Sequence, residues 1–101
     1  DYTAFVDITG RPTDPADRPN ARIRIVSPGF FDVFNIKVVA GRSFTQDDRR
    51  GSDPVMLVNR AWARKFIPDL DPLRERLSAG TIVGVVEAAI TYGLGVAFAG
   101  H

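Results

Sequence analysis

The chain contains no cysteine. Disulfides, thiolate metal centres and cysteine nucleophiles are therefore excluded. Its one histidine is the terminal His101. General-base chemistry and metal ligation by imidazole have almost nothing to work with. Long apolar runs are missing too. The longest low-charge stretch, Ala88 to Gly100, is broken by glycines and a threonine. It falls short of the ~20 apolar residues that span a bilayer as a helix. Charge of one sign is also lacking, because 13 basic residues face 12 acidic ones. The cationic footprint of a nucleic-acid binder is absent, as is a strong pull toward anionic membrane surfaces. No glycine-rich phosphate loop is visible either. The Thr81–Val86 run holds only Gly84, and Gly93, Gly95 and Gly100 fit neither dinucleotide nor P-loop spacing.

What is present reads as one globular domain. The 101 residues are 45% hydrophobic and 25% charged, an ordinary folded balance. The chain begins at Asp1 rather than Met and reads as a piece of something longer. Tyr2 to Ile8 is rich in β-formers and predicts a strand. Residues 10–20 hold Pro12, Pro15 and Pro19 and predict a surface loop. Arg22-Ile23-Arg24-Ile25-Val26 alternates and predicts a second strand. Ser27-Pro28 then signals a helix start, with the serine as cap and proline at the first helical position. Phe30, Phe31 and Phe34 would share one side of that helix. Ile36 to Val39 reads as a short extended segment and Gly41-Arg42 as a turn. Val55 to Val58 is a continuous apolar run, which suits a buried strand. Asn59 is a good cap for a helix that places Trp62 and Phe66, and Ala63 and Ile67, four residues apart. Pro68 ends that helix. Asp71-Pro72-Leu73 predicts a further helical turn reaching Leu77. Thr81 to Val86 is the strongest strand. The order strand–helix–strand–helix–strand predicts a mixed α/β (α+β) fold. Its sheet would have four to five strands with two main helices packed on it.

The search for chemistry yields structural readings. Ser27 has no partner base and lacks the preceding glycine of a nucleophile elbow, so it reads as a helix cap. Asp47 and Asp48 adjoin Arg49 and Arg50. The pair reads as a solvated turn or cap rather than a cation site. Trp62 and the phenylalanines read as core, not as a stacking platform. The loop arginines Arg11, Arg18, Arg49 and Arg50 read as a solvated rim. No catalytic residue, cofactor-binding residue or metal ligand is expected, and no enzyme activity.

Several pieces occur in an ordered series. Arg24-Ile25-Val26-Ser27-Pro28-Gly29-Phe30-Phe31 is followed by Gly41-Arg42-Ser43-Phe44-Thr45 and Asp48. Then come Pro54-Val55 through Val58-Asn59, Ala63-Arg64, Phe66, Asp71-Pro72 and Ile82-Val83-Gly84-Val85-Val86. The series, spanning residues 22–95, resembles the periplasmic core domain of MacB/FtsX-type ABC transporter permeases. One departure is Arg74, where that family usually has glycine after Asp-Pro-Leu. The resemblance implies an extracytoplasmic domain fragment covering residues 1–101, part of an integral membrane protein of a bacterial cytoplasmic membrane. It implies a role in transmitting conformational change or docking substrate or partner proteins. The implied partners are the membrane-embedded remainder of the permease and an ATPase domain or subunit. An adaptor protein or lipoprotein and a second copy in the full protein are further candidates. Nucleic acid is not among them.

Under this resemblance the singled-out residues act structurally. Ser27, Pro28 and Gly29 turn the chain into a helix that Phe31 anchors. Gly41 takes a conformation that a Cβ disfavours, and Arg42 pairs with Asp48. Asn59 caps the helix that buries Trp62 and Phe66, and Gly84 lies in the strongest strand. The alternative function is an extracytoplasmic small-ligand sensor. A hydrolase fragment is a third reading, and it lacks a base.

Overall fold

The computed structural model describes residues 2–11, 14–26, 29–45, 47–48, 54–78 and 80–87, and the backbone of 95–99. Within them, seven strands form one sheet. They are β1 (Tyr2–Phe5), β2 (Asn20–Val26), β3 (Val38–Gly41), β4 (Val55–Asn59), β5 (Arg76–Leu77), β6 (Gly80–Val86) and β7 (Gly95–Ala99). Two α-helices accompany them, α1 (Phe30–Val33) and α2 (Arg60–Phe66). The spatial order is β1-β2-β7-β4-β6-β3, with β5 beside β6.

The mixed α+β class is the one expected, and the topology explains where its helices go. β2 runs parallel to β7, which runs antiparallel to β4. β4 and β6 are parallel, and β3 is antiparallel to β6. The units β2–α1–β3 and β4–α2–β6 are therefore both parallel crossovers. Both cross toward the same sheet edge, but their strands point in opposite directions. Right-handed crossovers then force the two helices onto opposite faces. Burial follows this division. Met56 and Val58 pack with Trp62, Ala63 and Ile67 on the α2 face. Leu57, between them in sequence, packs with Phe31, Phe44 and Val86 on the α1 face. The continuous apolar run of β4 is thus the signature of a strand covered on both sides.

α2 starts where the sequence says it should. The Asn59 side chain accepts a 2.7 Å hydrogen bond from the Trp62 N–H. The helix stops at Ile67, whose N–H donates to Ala63 O, just before Pro68. On β2, Ala21 and Ile23 are buried while Asn20 and Arg22 are exposed.

Six expectations need correction. The sheet has seven strands, not four to five, because β5 is only two residues long and β7 was hidden in a glycine- and alanine-rich tail of weak β-propensity. The first main helix is a single turn. Its N-cap position falls on Gly29, which offers no side-chain hydrogen bond. Ser27 and Pro28 lie outside the described residues. The phenylalanines do not share a side: Phe31 alone is buried, whereas Phe34 faces out. Adjacent helical positions are about 100° apart, so Phe34 turns outward while the half-buried Phe30 bridges the two, stacking on Phe34 at 4.8 Å and meeting Phe31 edge-on at 5.3 Å. The turn at Asp71 is a 3-10 turn at Pro72–Arg74, and Leu77 belongs to β5, not to a helix. The first strand ends at Phe5, with Ile8 making an isolated bridge to Leu77. The proline-rich loop also contains one 3-10 turn, Pro15–Asp17, whose cap Asp14 accepts from the Ala16 N–H.

Candidate functional site

The residues singled out in the sequence fall into three places. The first is the seam between β3 and β6. Gly41 and Gly84 face each other across it as register partners. Gly41 has φ +71, a backbone region that side chains disfavour. A Cβ there would run into Val83 O and come within 2.9 Å of Gly84 Cα. A Cβ on Gly84 would strike Arg42 O and press on Leu57 at 3.2 Å. Both glycines are thus required by close backbone approach. Gly41 ends a strand rather than forming a free turn. Arg42 continues the contact through a 2.9 Å bond from its N–H to Val83 O.

From this seam Arg42 reaches Asp48. The guanidinium donates to both carboxylate oxygens, at 2.7 Å and 3.1 Å. The Thr45 N–H donates to the same carboxylate at 2.8 Å. Asp48 is buried, with 9% of its side chain exposed. It is therefore a loop-closing anchor and not the solvated turn expected from its neighbours Arg49 and Arg50, which lie outside the described residues. The fork from Arg42 holds the Asp48 carboxyl below the usual carboxylate range. Burial opposes that shift, and the Thr45 N–H adds to it. The loop so closed seats Phe44 against Phe31, with ring centroids 5.9 Å apart. The seam is thereby tied to α1.

The second place is α2. Trp62 is fully buried, and its indole N–H donates to Asn20 O at 3.0 Å. Its ring lies 5.3 Å from Phe66, which is half-buried. Beside it is a cleft of about 510 Å³ lined by Ala16, Asp17, Arg18, Pro19, Asn20, Lys65 and Phe66. Arg18 is engaged with Asp7 through two 2.8 Å bonds and lies over the Phe5 ring. A second cleft, about 450 Å³, runs along Gly41, Arg42, Leu73, Thr81, Ile82 and Val83. The third place is α1, where Phe31 is buried.

Sequence reading missed the tie between residues 7–11 and 75–78. Arg11 pairs with Glu75 at 2.7 Å, Ser78 N–H donates to Asp7 O, and Thr9 N–H donates to Arg76 O. The contacts join distant stretches, and no local pattern announces them. Among the described residues no three carboxylate or histidine side chains are grouped to hold a metal ion. No helix there is long and apolar enough to cross a membrane.

The sequence profile of the MacB-like periplasmic core domain matches residues 2–99. The chain belongs to that family. It is a MacB-like periplasmic core domain. Its fold is similar to the periplasmic region of MacB from Actinobacillus actinomycetemcomitans, with TM-score 0.76 and 18% identity over 97% of this chain and 44% of that one. It is also similar to the extracellular domain of the ABC-type transporter YknZ from Gram-positive bacteria. There the TM-score is 0.67 and the identity 15%, over 96% of this chain and 53% of that one. In sequence it is 37% identical over 71 residues to a "Probable export ATP-binding/permease protein" of Pseudomonas fluorescens. That match covers 65% of this chain and 11% of the relative. The chain thus spans about a tenth of that relative's length and about half of the solved domains.

Proposed function

We propose that this MacB-like domain is a non-catalytic coupling element. It carries movement of the membrane-embedded permease, driven by an ATPase domain or subunit, to the substrate or a docked partner protein. The observation that carries this reading is the way the sheet is tied together. The β3–β6 seam leaves no room for a Cβ at Gly41 or Gly84, the Arg42–Asp48 fork locks its loop, and that loop wedges Phe44 against Phe31. On the other face Trp62 bonds back to β2. A body braced on both faces passes displacement on without absorbing it, because packed interiors deform little.

The test is the export stoichiometry of the reconstituted permease. Arg42→Lys keeps the charge but loses the two-pronged geometry. The expected result is continued ATP hydrolysis with less substrate moved per ATP. Unchanged stoichiometry in a variant shown to have a loosened domain contradicts the reading.

The second reading, a small-ligand sensor, draws on the cleft beside Lys65 and Phe66. A thermal-shift screen separates the two, because strong stabilisation by one small molecule marks a ligand site.

A further inference from the structure

α1 turns a rigid apolar surface outward. Val33 is 77% exposed and Phe34 64% exposed, and Phe30, half-buried, stacks on Phe34 at 4.8 Å. The patch is held in shape from beneath and at both ends. Phe31 is buried under it, Phe34 N–H donates to Phe30 O, and Ile36 N–H donates to Phe31 O. Asn35, with φ +55, turns the chain away immediately after Phe34. The exposed Asp32 of α1 and Arg24, whose guanidinium lies 5.8 Å from the Phe30 ring centroid, give the patch a polar rim. An apolar centre with a polar rim, already rigid, is the anatomy of a contact surface.

We infer that the α1 patch is the seat for the rest of the same periplasmic region, which meets it with apolar side chains. The inference rests on membership in the permease proposed above. Three observations choose this occupant. Solved domains of the same fold are about twice as long as this chain, so a comparable mass of polypeptide accompanies the fold in them. Ala99 is the register partner of Val26, so the chain's late strand ends beside the connection that leads into α1. The patch is also small. Three side chains of this size expose well under the ~800 Å² per partner that a free-standing dimer buries. A tethered segment needs no such area, because its effective concentration is high. A lipid surface fits less well, since such a face calls for a strongly cationic border and the chain's net charge is only +1.

The chain has no cysteine, so single thiols report cleanly. Val33→Cys probes the patch. Ala61→Cys, on the exposed side of α2 across the sheet, is the reference. Maleimide labelling rates are compared between the 101-residue chain and the full permease, the latter with its other cysteines replaced by serine. Far-UV circular dichroism checks that each variant of the chain folds. We expect the Val33→Cys rate to fall by about tenfold or more in the full permease, equally in detergent and in lipid nanodiscs, an occlusion of about 1.4 kcal/mol. The Ala61→Cys rate should change far less. Equal Val33→Cys rates in chain and permease overturn the inference. So does protection seen only in nanodiscs, which means lipid, and protection that grows with concentration of the chain alone, which means a second copy. Equal rates in a permease that exports normally overturn this inference and leave the coupling reading intact. A full protein without membrane segments overturns both.

Discussion

Trp62→Ala gives the strongest expected loss of stability. The side chain is fully buried between α2 and the sheet, in the same cluster as Val6, Ile23, Met56 and Ile82. Truncating a buried tryptophan to alanine costs about 3–5 kcal/mol through lost transfer energy and the cavity left behind. Asn20 O also loses its indole donor. An acceptor left unpaired adds roughly 1 kcal/mol unless water enters. The total, about 4–6 kcal/mol, compares with the ~5–15 kcal/mol that holds a typical domain together. For a domain of this size each kcal/mol shifts Tm by roughly 4–8 °C. A fall of at least about 16 °C is therefore expected. The assay is a thermal melt followed by far-UV circular dichroism, since the variant removes the only tryptophan. Urea unfolding provides the free energy. Trp62→Phe keeps most of the volume and should lose less than half as much. A Trp62→Ala variant that melts within a few degrees of the parent refutes the placement of this ring in the core. Loss of partner binding at an unchanged Tm would make Trp62 a contact residue instead.

Further outcomes follow from the seam and the caps. Gly41→Ala should lose at least about 2 kcal/mol in urea unfolding, from the left-handed backbone and the approach to Val83 O; a neutral result removes the close-approach argument. Asn59→Ala should cost about 1–2 kcal/mol by the same measurement, because the Trp62 N–H loses its cap. The Asp48 carboxyl is held below its unfolded value, so its contribution is present in full above the ordinary carboxylate range and is lost as pH falls through the lowered value. The stability difference between the parent and Asp48→Asn should accordingly be flat near neutral pH and shrink in acid. A difference that grows in acid contradicts the Arg42–Asp48 assignment.

Much of this arrangement was legible from local chemistry. Asn59 followed by an apolar stripe marks a capped helix, and α2 sits there. The apolar run Val55–Val58 marks a doubly covered strand, and β4 is one. The pairing of Arg42 with Asp48 was expected, but its burial was not. A sequence shows that Asp48 adjoins Arg49 and Arg50, while its environment is set by Arg42 and Thr45. The Ser27-Pro28 signal pointed to a short helix, and a single turn, Phe30–Val33, forms just beyond it. α1 is held by Phe31 beneath it rather than by a side-chain cap. β5 and β7 escaped notice because their pairing partners, not their own propensities, make them strands. The Arg11–Glu75 tie joins residues 64 apart and has no local signature.

On the proposed coupling reading, this domain moves as one braced body with the permease. Paired spin labels on the reconstituted protein test it directly. One pair lies within the domain, at Ala61→Cys and the exposed Arg74→Cys; another joins Ala61→Cys to a membrane-embedded helix. Distances are measured with and without ATP. The prediction is an unchanged distance within the domain and a changed distance to the membrane helix. A distance that changes within the domain, or none that changes at all, contradicts it.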